Sequence, residues 1–580
     1  MNKNTVWAIV LSALVIGAYM FVQVKFFPQK KIDAPVAEQI ENQSNEAKNS
    51  ENENAQNSET QILQNAKASE NLAEEIVTIE TDTVKATFTN RGGDIVSFEL
   101  LKHIDTDISR GVQMADNVSA TNRALSLALG DANASAINDV FAIEKIDEHT
   151  ILFTKKYDGF TLGKRYTFHD GEYMFKLDIL FHADDAANIF KNELAYTLRT
   201  PPQIGPHFDT KKNRYESRNF LSYSGETQKK KTINVGSKQF KSFDKNFSWA
   251  GIAGKYFEAI IVPENPETLS TNVFYSSAIE MNNYANAQAF LSRKKITAND
   301  TSDSYFVYFG PRNEKDLKAY NVKETNSWQL ENVRLNESMQ SSGWLGWLEN
   351  ILKVVLEALY KVVHNWGVSI IVMTILLKLA LFPITMKQSM STQKMQKLQP
   401  QMQAIQTKYK DNPQRMQAEL GKLYKENNYS PVSGCLPMLF QFLIIFAMFN
   451  LFNNYFEFRG ASFIPGWIPD LSAGDSVYTF KKNIPLLSNF IGNSIRILPI
   501  IYLLSQLFYG KITMNGGTAA ATSAGQMKFM MYGMPLLFFF IFYNAPAGLL
   551  LYWTVSNFIQ MAQQLFINKF MKNKLLRAKK

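Results

Sequence analysis

Hydrophobic and polar positions divide this chain into two unlike halves. Between residues 76 and 330, apolar and polar residues alternate in short runs that end in turn signals. Val84-Lys85-Ala86-Thr87-Phe88, for example, is followed by the turn Arg91-Gly92-Gly93-Asp94, and Tyr173–Ile179 alternates in the same way. Such runs predict a large antiparallel β-sandwich domain. Beyond residue 343, long apolar stretches of the kind found in membrane helices alternate with basic segments.

The apolar stretches predict an α-helical membrane protein with six spans. Val6 to Val24 carry no charge and no small-residue cleavage site follows, so residues 1–27 are expected to be an uncleaved signal anchor rather than a cleaved signal peptide. The polar, aromatic-poor segment 28–75 is expected to be a flexible linker. The remaining five spans are predicted at 366–385, 432–455, 490–509, 526–543 and 548–567.

Basic residues orient these spans. Segment 386–431 and tail 568–580 are the most basic parts of the helical half, and cytoplasmic segments of membrane proteins carry an excess of Lys and Arg. Both segments, the loop 510–525 and both termini are therefore predicted to be cytoplasmic. The loop 456–489 and the β domain 76–330 are then periplasmic, and the chain is expected in the inner membrane.

Two helical segments flank the first of the five later spans. In 343–363, Glu349, Lys353, Glu357 and Lys361 form a charged stripe at i, i+4 spacing on an otherwise apolar helix. This pattern predicts an amphipathic helix in the membrane interface, with a helix packed on the β domain as the alternative.

Segment 386–431 predicts an antiparallel helical hairpin that turns at Asp411-Asn412-Pro413 and is broken or kinked at Pro400. A purely topological role for the hairpin is the alternative. Its apolar seam comprises Met395, Leu398, Met402, Ile405, Tyr409, Met416, Leu420 and Leu423.

Lys378 is the misfit of the span 366–385, because a cation at the centre of a bilayer costs roughly 3 kcal/mol on insertion scales. Other spans also carry polar residues that lipid disfavours. If these converge with Lys378, they line a wet recess that opens to the cytoplasm; taken singly, each is a helix–helix hydrogen bond. The polar candidates are Thr374, Gln441, Ser505, Gln506, Ser556, Asn557 and Gln560.

Motifs for enzyme chemistry are absent from the sequence. The five histidines of the β domain are scattered, without HExxH or HxH spacing, and neither GxxxxGK[ST] nor GxGxxG occurs. The single cysteine, Cys435, lies in an apolar segment and excludes an internal disulfide. The net charge is +9, and the basic residues concentrate beside the apolar spans rather than in a nucleic-acid motif. We therefore expect no enzyme activity, no metal, no cofactor and no DNA partner.

Five spaced motifs resemble the YidC family of membrane protein insertases in its long Gram-negative form. They are Lys378-Leu-Ala-Leu-Phe-Pro-Ile-Thr385, Lys397-Leu-Gln-Pro-Gln-Met402, Leu423-Tyr-Lys425, Pro431-Val-Ser-Gly-Cys-Leu-Pro437 with Gln441, and Pro546-Ala-Gly-Leu-Leu-Leu-Tyr-Trp-Thr-Val-Ser-Asn557. The resemblance is specific over residues 345–570 and weaker in the β domain.

The resemblance implies a five-helix core around a hydrophilic groove that is open to the cytoplasm and closed to the outside. The basic residue of this groove maps to Lys378, where Gram-negative members usually have Arg. Lys keeps the positive charge but cannot form the two parallel hydrogen bonds that an Arg guanidinium makes to a carboxylate. The implied function is insertion and chaperoning of nascent membrane proteins, alone or with the Sec translocon. Client contacts are expected at Phe442, Ile445 and Trp553.

The resemblance also implies partners: nascent membrane proteins, the Sec translocon with its accessory subunits, the ribosome with the signal recognition particle machinery, and anionic lipids. Two other functions stay open at this point. A secondary transporter also keeps charges in its spans, although no internal repeat is visible here. A tethered periplasmic carbohydrate-active enzyme would account for the β domain but not for the later spans.

Overall fold

The structure is a computed structural model in which residues 72–578 are described, apart from 106–108, 190, 208–215, 235–239, 245–246, 277–279, 282–283, 286, 340–342, 428, 430, 481–493 and 515–528. The predicted anchor 1–27 and nearly all of the linker 28–75 therefore lie outside the described residues, as does most of the loop 510–525.

Antiparallel strands occupy the first half of the described chain, which confirms the predicted β domain. They are β1 Ile76–Glu80, β2 Val84–Thr89, β3 Asp94–Asp105, β4 Arg110–Gln113, β5 Leu127–Leu129, β6 Ala142–Lys145, β7 Thr150–Tyr157, β8 Phe160–Thr167, β9 Met174–Ala183, β10 Leu194–Arg199, β11 Asn219–Ser224, β12 Lys229–Asn234, β13 Phe240–Asp244, β14 Trp249–Ala253, β15 Phe257–Pro263, β16 Leu269–Ser276, β17 Glu280–Met281, β18 Tyr284–Ala285, β19 Gln288–Lys294 and β20 Asp300–Pro311.

Three sheets form two layers. The large sheet has the order β12-β11-β14-β15-β20-β9-β8-β7-β6, and the smaller ones are β13-β16-β19-β10-β5 and β1-β2-β3-β4. Phe175 and Phe181 lie six residues apart on β9 and so point to the same face. Phe175 contacts Phe98 of β3 at 5.3 Å between ring centroids, and Phe181 contacts Tyr196 of β10 at 5.6 Å. Both smaller sheets therefore cover one face of the large sheet.

Strand β9 differs from its predicted alternation. Nearly all of its residues are buried, in contrast to the alternating burial of β2. The reason lies in its position: β9 pairs with β8 and β20 in the middle of the large sheet, and the segment around Trp328 covers part of its second face, with the indole N–H donating to the Met174 carbonyl at 3.2 Å.

Helices dominate the second half of the described chain. They are α1 Glu314–Ala319, α2 Gly346–Val363, α3 Trp366–Ala380, α4 Phe382–Lys408, α5 Pro413–Glu426, α6 Pro431–Asn454, α7 Leu498–Met514, α8 Met534–Phe542 and α9 Ala547–Ala578, with a π-helix at Phe529–Gly533 before α8 and short strands β21 Tyr478–Thr479 and β22 Ser494–Ile495 before α7.

The predicted span 366–385 is not one helix. Helix α3 ends at Ala380, α4 begins at Phe382, and the chain bends by 57° between the two. Pro383 accounts for the bend, because proline lacks an N–H and disfavours helical geometry in the residue before it. Within the described residues, no single helix combines the length and apolarity needed to cross a membrane, whereas this bent pair passes the same test when taken together.

Other helices also depart from their predicted limits. Helix α7 begins eight residues later than predicted, because Ser494 and Ile495 pair with β21 and the side chain of Asp475 caps the helix from Ile497 onward. Helix α9 extends past 567 into the predicted tail. Helix α4 continues through Pro400, so it is not broken there, and a kink at this proline stays a prediction. Residues on both sides of the proline pack against α5 and hold the two halves of α4 in one element: Leu398, Met402 and Ile405.

Helix α2 contacts the β domain, as in the alternative considered for it, and its place in the membrane interface stays a prediction. Lys353 binds Glu314 of α1, on the edge of the β domain, and lies 3.9 Å from Glu357. Glu357 also accepts a hydrogen bond of 2.9 Å from the Tyr455 hydroxyl. The charged edge thus pairs mostly with other elements rather than along the helix. The opposite edge is exposed and apolar, and it includes Trp347, Ile351, Val354 and Val362.

The segment that follows α6 joins the helical half to the β domain. The Phe456 ring contacts those of His103 and Phe257 at 5.4 and 5.8 Å. The Arg459 guanidinium lies 4.8 Å from the Phe257 ring centre and donates to the Ile104 carbonyl at 2.6 Å. Burial, together with the positive charges of Arg459 and Lys102, lowers the pKa of His103 to about 4, so this imidazole is neutral near pH 7.

Candidate functional site

Lys378 lies in the last turn of α3, immediately before the bend. Its side chain is only 4% exposed. A helix C-terminus carries unpaired carbonyls and a partial negative charge, so a cation is stabilised there relative to the middle of a helix. The prediction placed this charge within a continuous helix, whereas the structure places it at a helix end.

Helix α9 contacts α3 through a polar side chain at this residue. The amide of Gln563 donates to the Lys378 main-chain carbonyl at 3.0 Å. Further along α9, Gln564 accepts a hydrogen bond of 3.1 Å from the Ser389 hydroxyl of α4 and donates to Asn568 at 2.9 Å. Polar contacts from α9 therefore continue across the α3–α4 bend.

A second polar cluster joins α7 to α9, and its α9 residue, Asn557, lies six residues before Gln563. The Asn557 amide donates to the Ser505 hydroxyl at 2.9 Å, and Ser505 donates to the Tyr502 carbonyl at 2.7 Å. The Gln506 amide donates to the Tyr502 hydroxyl at 2.9 Å. Three of the predicted polar residues thus form one hydrogen-bonded cluster between two helices.

The other polar candidates occupy different settings. Thr374 is fully buried, and its hydroxyl donates to the Ile370 carbonyl of its own helix at 2.6 Å. Ser556 is buried on α9 and Gln560 is half-buried. Gln441 belongs to α6, but its side chain lies outside the described part of the structure.

Sequence reasoning missed Gln563, Gln564 and Ser389. The signal for the first two was present, because polar residues on α9 recur every three or four positions, and this stripe continues past Gln560. Ser389 gave no such signal, since its contact depends on how α4 crosses α9 after the bend.

The three apolar candidates for client contact are not equivalent. Phe442 is 43% exposed on α6, and Phe446, one turn further along, is similarly exposed. Ile445 is half-buried against the helical core. Trp553 is buried, with ring centroids 4.8 Å from Phe542 and 5.6 Å from Tyr502. Only Phe442 presents a substantial apolar surface to a molecule outside the bundle.

The hairpin forms a separate, small core. Leu398 of α4 and Leu423 of α5 are buried together with Tyr429, and Met402, Ile405 and Tyr424 pack around them. Tyr409, Met416 and Leu420 are half-buried, and the Met395 side chain lies outside the described part. At the turn, the Arg415 guanidinium lies 5.5 Å from the Tyr409 ring centre. The predicted antiparallel seam is therefore present over its central positions.

Two family models match the chain. Residues 358–574 match a 60Kd inner membrane protein, and residues 76–354 match the YidC periplasmic domain. The boundary between the two matches falls inside helix α2, where the β domain gives way to the helical half.

Individual relatives match over the whole length. A Treponema denticola protein named membrane protein insertase YidC is 44% identical over 600 residues, which cover 99% of this chain and 100% of the relative. Its namesake from Treponema pallidum is 37% identical over 625 residues, which cover 98% and 99%. A crystal structure of an active YidC insertase with its first transmembrane domain resolved is 18% identical and covers 86% of this chain and 95% of its own, with a TM-score of 0.36. The full-length relatives and the two family matches show that this chain belongs to the YidC family.

Proposed function

We propose that this chain inserts nascent membrane proteins into the inner membrane, and that the polar recess between α3, α7 and α9 is the site at which it does so. The observation that carries the proposal is the position of Lys378, a buried cation at the α3–α4 bend, beside a helix whose polar residues continue across that bend. The names of the full-length relatives support the same function.

Short helices support a thinned bilayer at this site. Helix α3 has 15 residues and α7 has 17, which correspond to about 22 and 25 Å at 1.5 Å per residue. A typical hydrocarbon core is about 30 Å thick, and a bilayer thins around helices shorter than its core. Thinning lowers the cost of carrying a polar client segment across, because that segment passes through less hydrocarbon.

Within the recess, a client's polar end exchanges water for protein dipoles. Hydroxyl and amide groups of Ser505, Asn557 and Gln563 are already oriented by hydrogen bonds, so little reorganisation is needed when a polar segment arrives. The charge of Lys378 favours segments that carry Asp or Glu. A lysine ammonium attracts such groups as a point charge and imposes no fixed bidentate geometry.

The client's apolar helix then leaves sideways into lipid. Exposed apolar side chains on α6 and α7, among them Phe442, Phe446, Leu504 and Phe508, offer a surface along which it can move. Burial of the client's apolar surface drives this step at roughly 25 cal/mol per Å². The sequence carries no nucleotide-binding motif that would couple the step to hydrolysis.

The orientation follows from charge. The hairpin α4–α5 begins at the C-terminal end of α3, whereas the β domain contacts the start of the loop that follows α6. The excess of Lys and Arg in the hairpin and tail favours a cytoplasmic location for both, and hence a periplasmic β domain. We further propose that the hairpin and the tail meet the ribosome and anionic lipids, and that the chain works alone or beside the Sec translocon.

Replacement of Lys378 tests the recess. In proteoliposomes, insertion of a client with an acidic translocated tail is expected to fall about tenfold for Lys378→Ala and to stay within about twofold for Lys378→Arg. A client whose tail carries no acid is the control and should be affected far less. Equal insertion of the acidic client by the parent and by both variants would show that the charge has no role.

Removal of the hairpin tests its part separately. Deletion of residues 396–424 at unchanged membrane levels is expected to abolish insertion of both clients, since it removes the proposed receiving surface. The paired change Leu398→Ala with Leu423→Ala keeps the charges but opens the hairpin core, and should lower insertion only partly. Normal insertion by the deletion variant would reduce the hairpin to a spacer.

A further inference from the structure

The segment Ala461–Ser476, here called the outer loop, holds three helices of the bundle at one end. It is folded on itself by hydrogen bonds from the Phe463 amide to the Ile468 carbonyl and from the Leu471 amide to the Ala461 carbonyl, at 2.9 and 3.0 Å. Ile468 and Leu471 are fully buried. The loop is therefore a packed element rather than an open connection.

Its first attachment is to the start of α3. Phe463 lies against Gly367 so closely that a Cβ on this glycine would stand 2.1 Å from the phenylalanine ring. Asn365, whose side chain caps α3 by accepting from the Val368 amide, also reaches the Phe463 carbonyl at 3.5 Å. No residue with a side chain fits at position 367 without displacing the loop.

Its second attachment is to the start of α9. The first amides of a helix have no partner within the helix. Here the Ala547 amide donates to the Ala473 carbonyl at 2.7 Å, and the Gly548 amide donates to the Leu471 carbonyl at 2.9 Å. The loop thus satisfies two amides that the helix itself leaves unpaired.

Its third attachment is made by one side chain at the start of α7. A single carboxylate oxygen of Asp475 accepts from the Ile497 and Leu498 amides at 2.7 and 2.9 Å, and from the Trp467 indole at 3.2 Å. Asp475 is fully buried, and its main-chain carbonyl accepts from the Arg496 guanidinium at 3.1 Å. Its negative charge is stabilised by the helix dipole and by this arginine.

The three attached helices all begin at the outer loop, so they run in the same direction away from it. Lys378 lies 11 residues after Gly367 on α3, which places it about 16 Å further along the bundle. The loop therefore caps the end of the bundle opposite the polar recess.

We infer that the outer loop is the seal that closes the bundle on the side of the β domain, and that Asp475 is the positioning residue that holds it closed. A recess that is wet at one end needs such a barrier to keep ions from crossing. Asp475 ties the loop to α7 through its own carboxylate, whereas the loop contributes only the Phe463 ring and main-chain carbonyls to its attachments to α3 and α9. The inference rests on the proposed function only because it identifies the sealed feature as the polar recess.

Cysteine labelling tests the seal without any client. Cys435→Ser removes the native thiol, and Ile370→Cys places a thiol at a fully buried position one turn inside the Gly367 contact. A membrane-impermeant maleimide is added from the side of the β domain. Asp475→Ala is expected to raise the labelling rate at least about tenfold, because three hydrogen bonds to a charged acceptor are lost. Asp475→Asn, which can still accept from the amides, should raise it no more than about threefold.

Asp470→Ala is the matched control. Asp470 is an aspartate of the same loop, and its side chain accepts a hydrogen bond of 2.7 Å from the Ser472 amide within that loop. Labelling in this variant should equal that of the parent. Equal labelling of the Asp475→Ala and Asp470→Ala proteins at matched membrane levels would overturn the inference.

A milder variant covers the case in which Asp475→Ala does not accumulate. Trp467→Phe removes one of the three donors to Asp475 and should raise labelling about threefold. No increase over Asp470→Ala would again overturn the inference. These assays contain no client, so labelling reports on the seal whether or not the chain inserts proteins. A failure of the seal and a failure of the proposed insertion function are therefore distinguished.

Discussion

Two buried lysines show how differently the two halves of this molecule treat charge. Lys164, in the β domain, is wholly enclosed, and its ammonium donates to the Asp94 carboxylate at 2.5 Å and to the Gly92 and Leu125 carbonyls at 3.1 and 2.9 Å. Arg123 binds the second Asp94 oxygen at 2.9 Å. Every charge in this cluster has a fixed counter-charge within the domain.

Lys378 is nearly as buried but lies among helices of another composition. The sequences of α3, α4, α6, α7, α8 and α9 contain neither Asp nor Glu. None of these six helices therefore supplies a carboxylate to Lys378, whereas Asp94 of the β domain binds Lys164. A closed ion cluster stabilises one conformation, whereas a cation among neutral dipoles is suited to meeting successive polar segments of different sequence.

The same substitution at both lysines tests this comparison and should give the largest effect. Lys164→Met leaves three buried acceptors without their donor and is expected to lower the free energy of unfolding by about 3 kcal/mol, the low end for a broken buried pair because Arg123 still binds Asp94. Lys378→Met removes a desolvated cation and should leave the stability unchanged or raise it. Thermal unfolding of the full chain in detergent measures both, and a large loss at Lys378 alone would reverse the comparison.

A pH series sharpens the contrast with a smaller effect. Burial raises the pKa of Glu258 to about 7, although Arg312 and the Ser338 hydroxyl at 2.9 Å favour its charged form. Between about pH 4.5 and 7, the folded β domain keeps a proton that the unfolded chain has released, so this group's contribution to stability falls as the pH rises. The unfolding free energy should therefore lose about 2–3 kcal/mol between pH 5 and 8 relative to Glu258→Gln.

Comparison with Glu258→Gln also removes the contribution of other titrating groups, such as His103. His103, whose pKa is lowered to about 4, contributes with the opposite sign because the unfolded chain binds its proton first as the pH falls. Since His103 is present in both proteins, its contribution cancels in the difference between the parent and Glu258→Gln. Parallel pH profiles for the two proteins would show that Glu258 does not titrate in this range.

Local pattern was enough to predict the β domain and the presence of polar side chains between helices. The alternation of Val84–Phe88 matches the burial of β2, and Ser505 and Asn557 do meet across two helices. Both features depend on residues close in sequence or on regular helix spacing. The break at Leu381 also had a local signal in Pro383, which apolar composition concealed.

Contacts between distant main-chain groups could not be predicted in this way. Asp475 binds amides 22 and 23 residues further along the chain, and main-chain donors leave no mark in a sequence. The predicted alternation of burial in the central strand β9 was wrong for a related reason. Burial of its second face depends on Trp328, which lies far along the chain. Long-range partners decide such positions, and neither spacing nor composition reveals them.

The smallest expected effect concerns hydrogen bonds rather than charges. Asn557→Leu keeps the side-chain volume but removes the amide that donates to Ser505. Hydrogen bonds between membrane helices contribute about 1 kcal/mol or less on average, so the thermal midpoint should move little. Insertion of an acidic-tail client should nevertheless fall about two- to threefold, because the recess loses an oriented dipole.

Ser505→Ala should lower insertion to a similar extent. The double variant should lower it by less than the sum of the two single effects, since the two residues share one hydrogen bond. A large loss of stability with normal insertion would instead assign Asn557 to the bundle's structure, as Lys164 is assigned in the β domain.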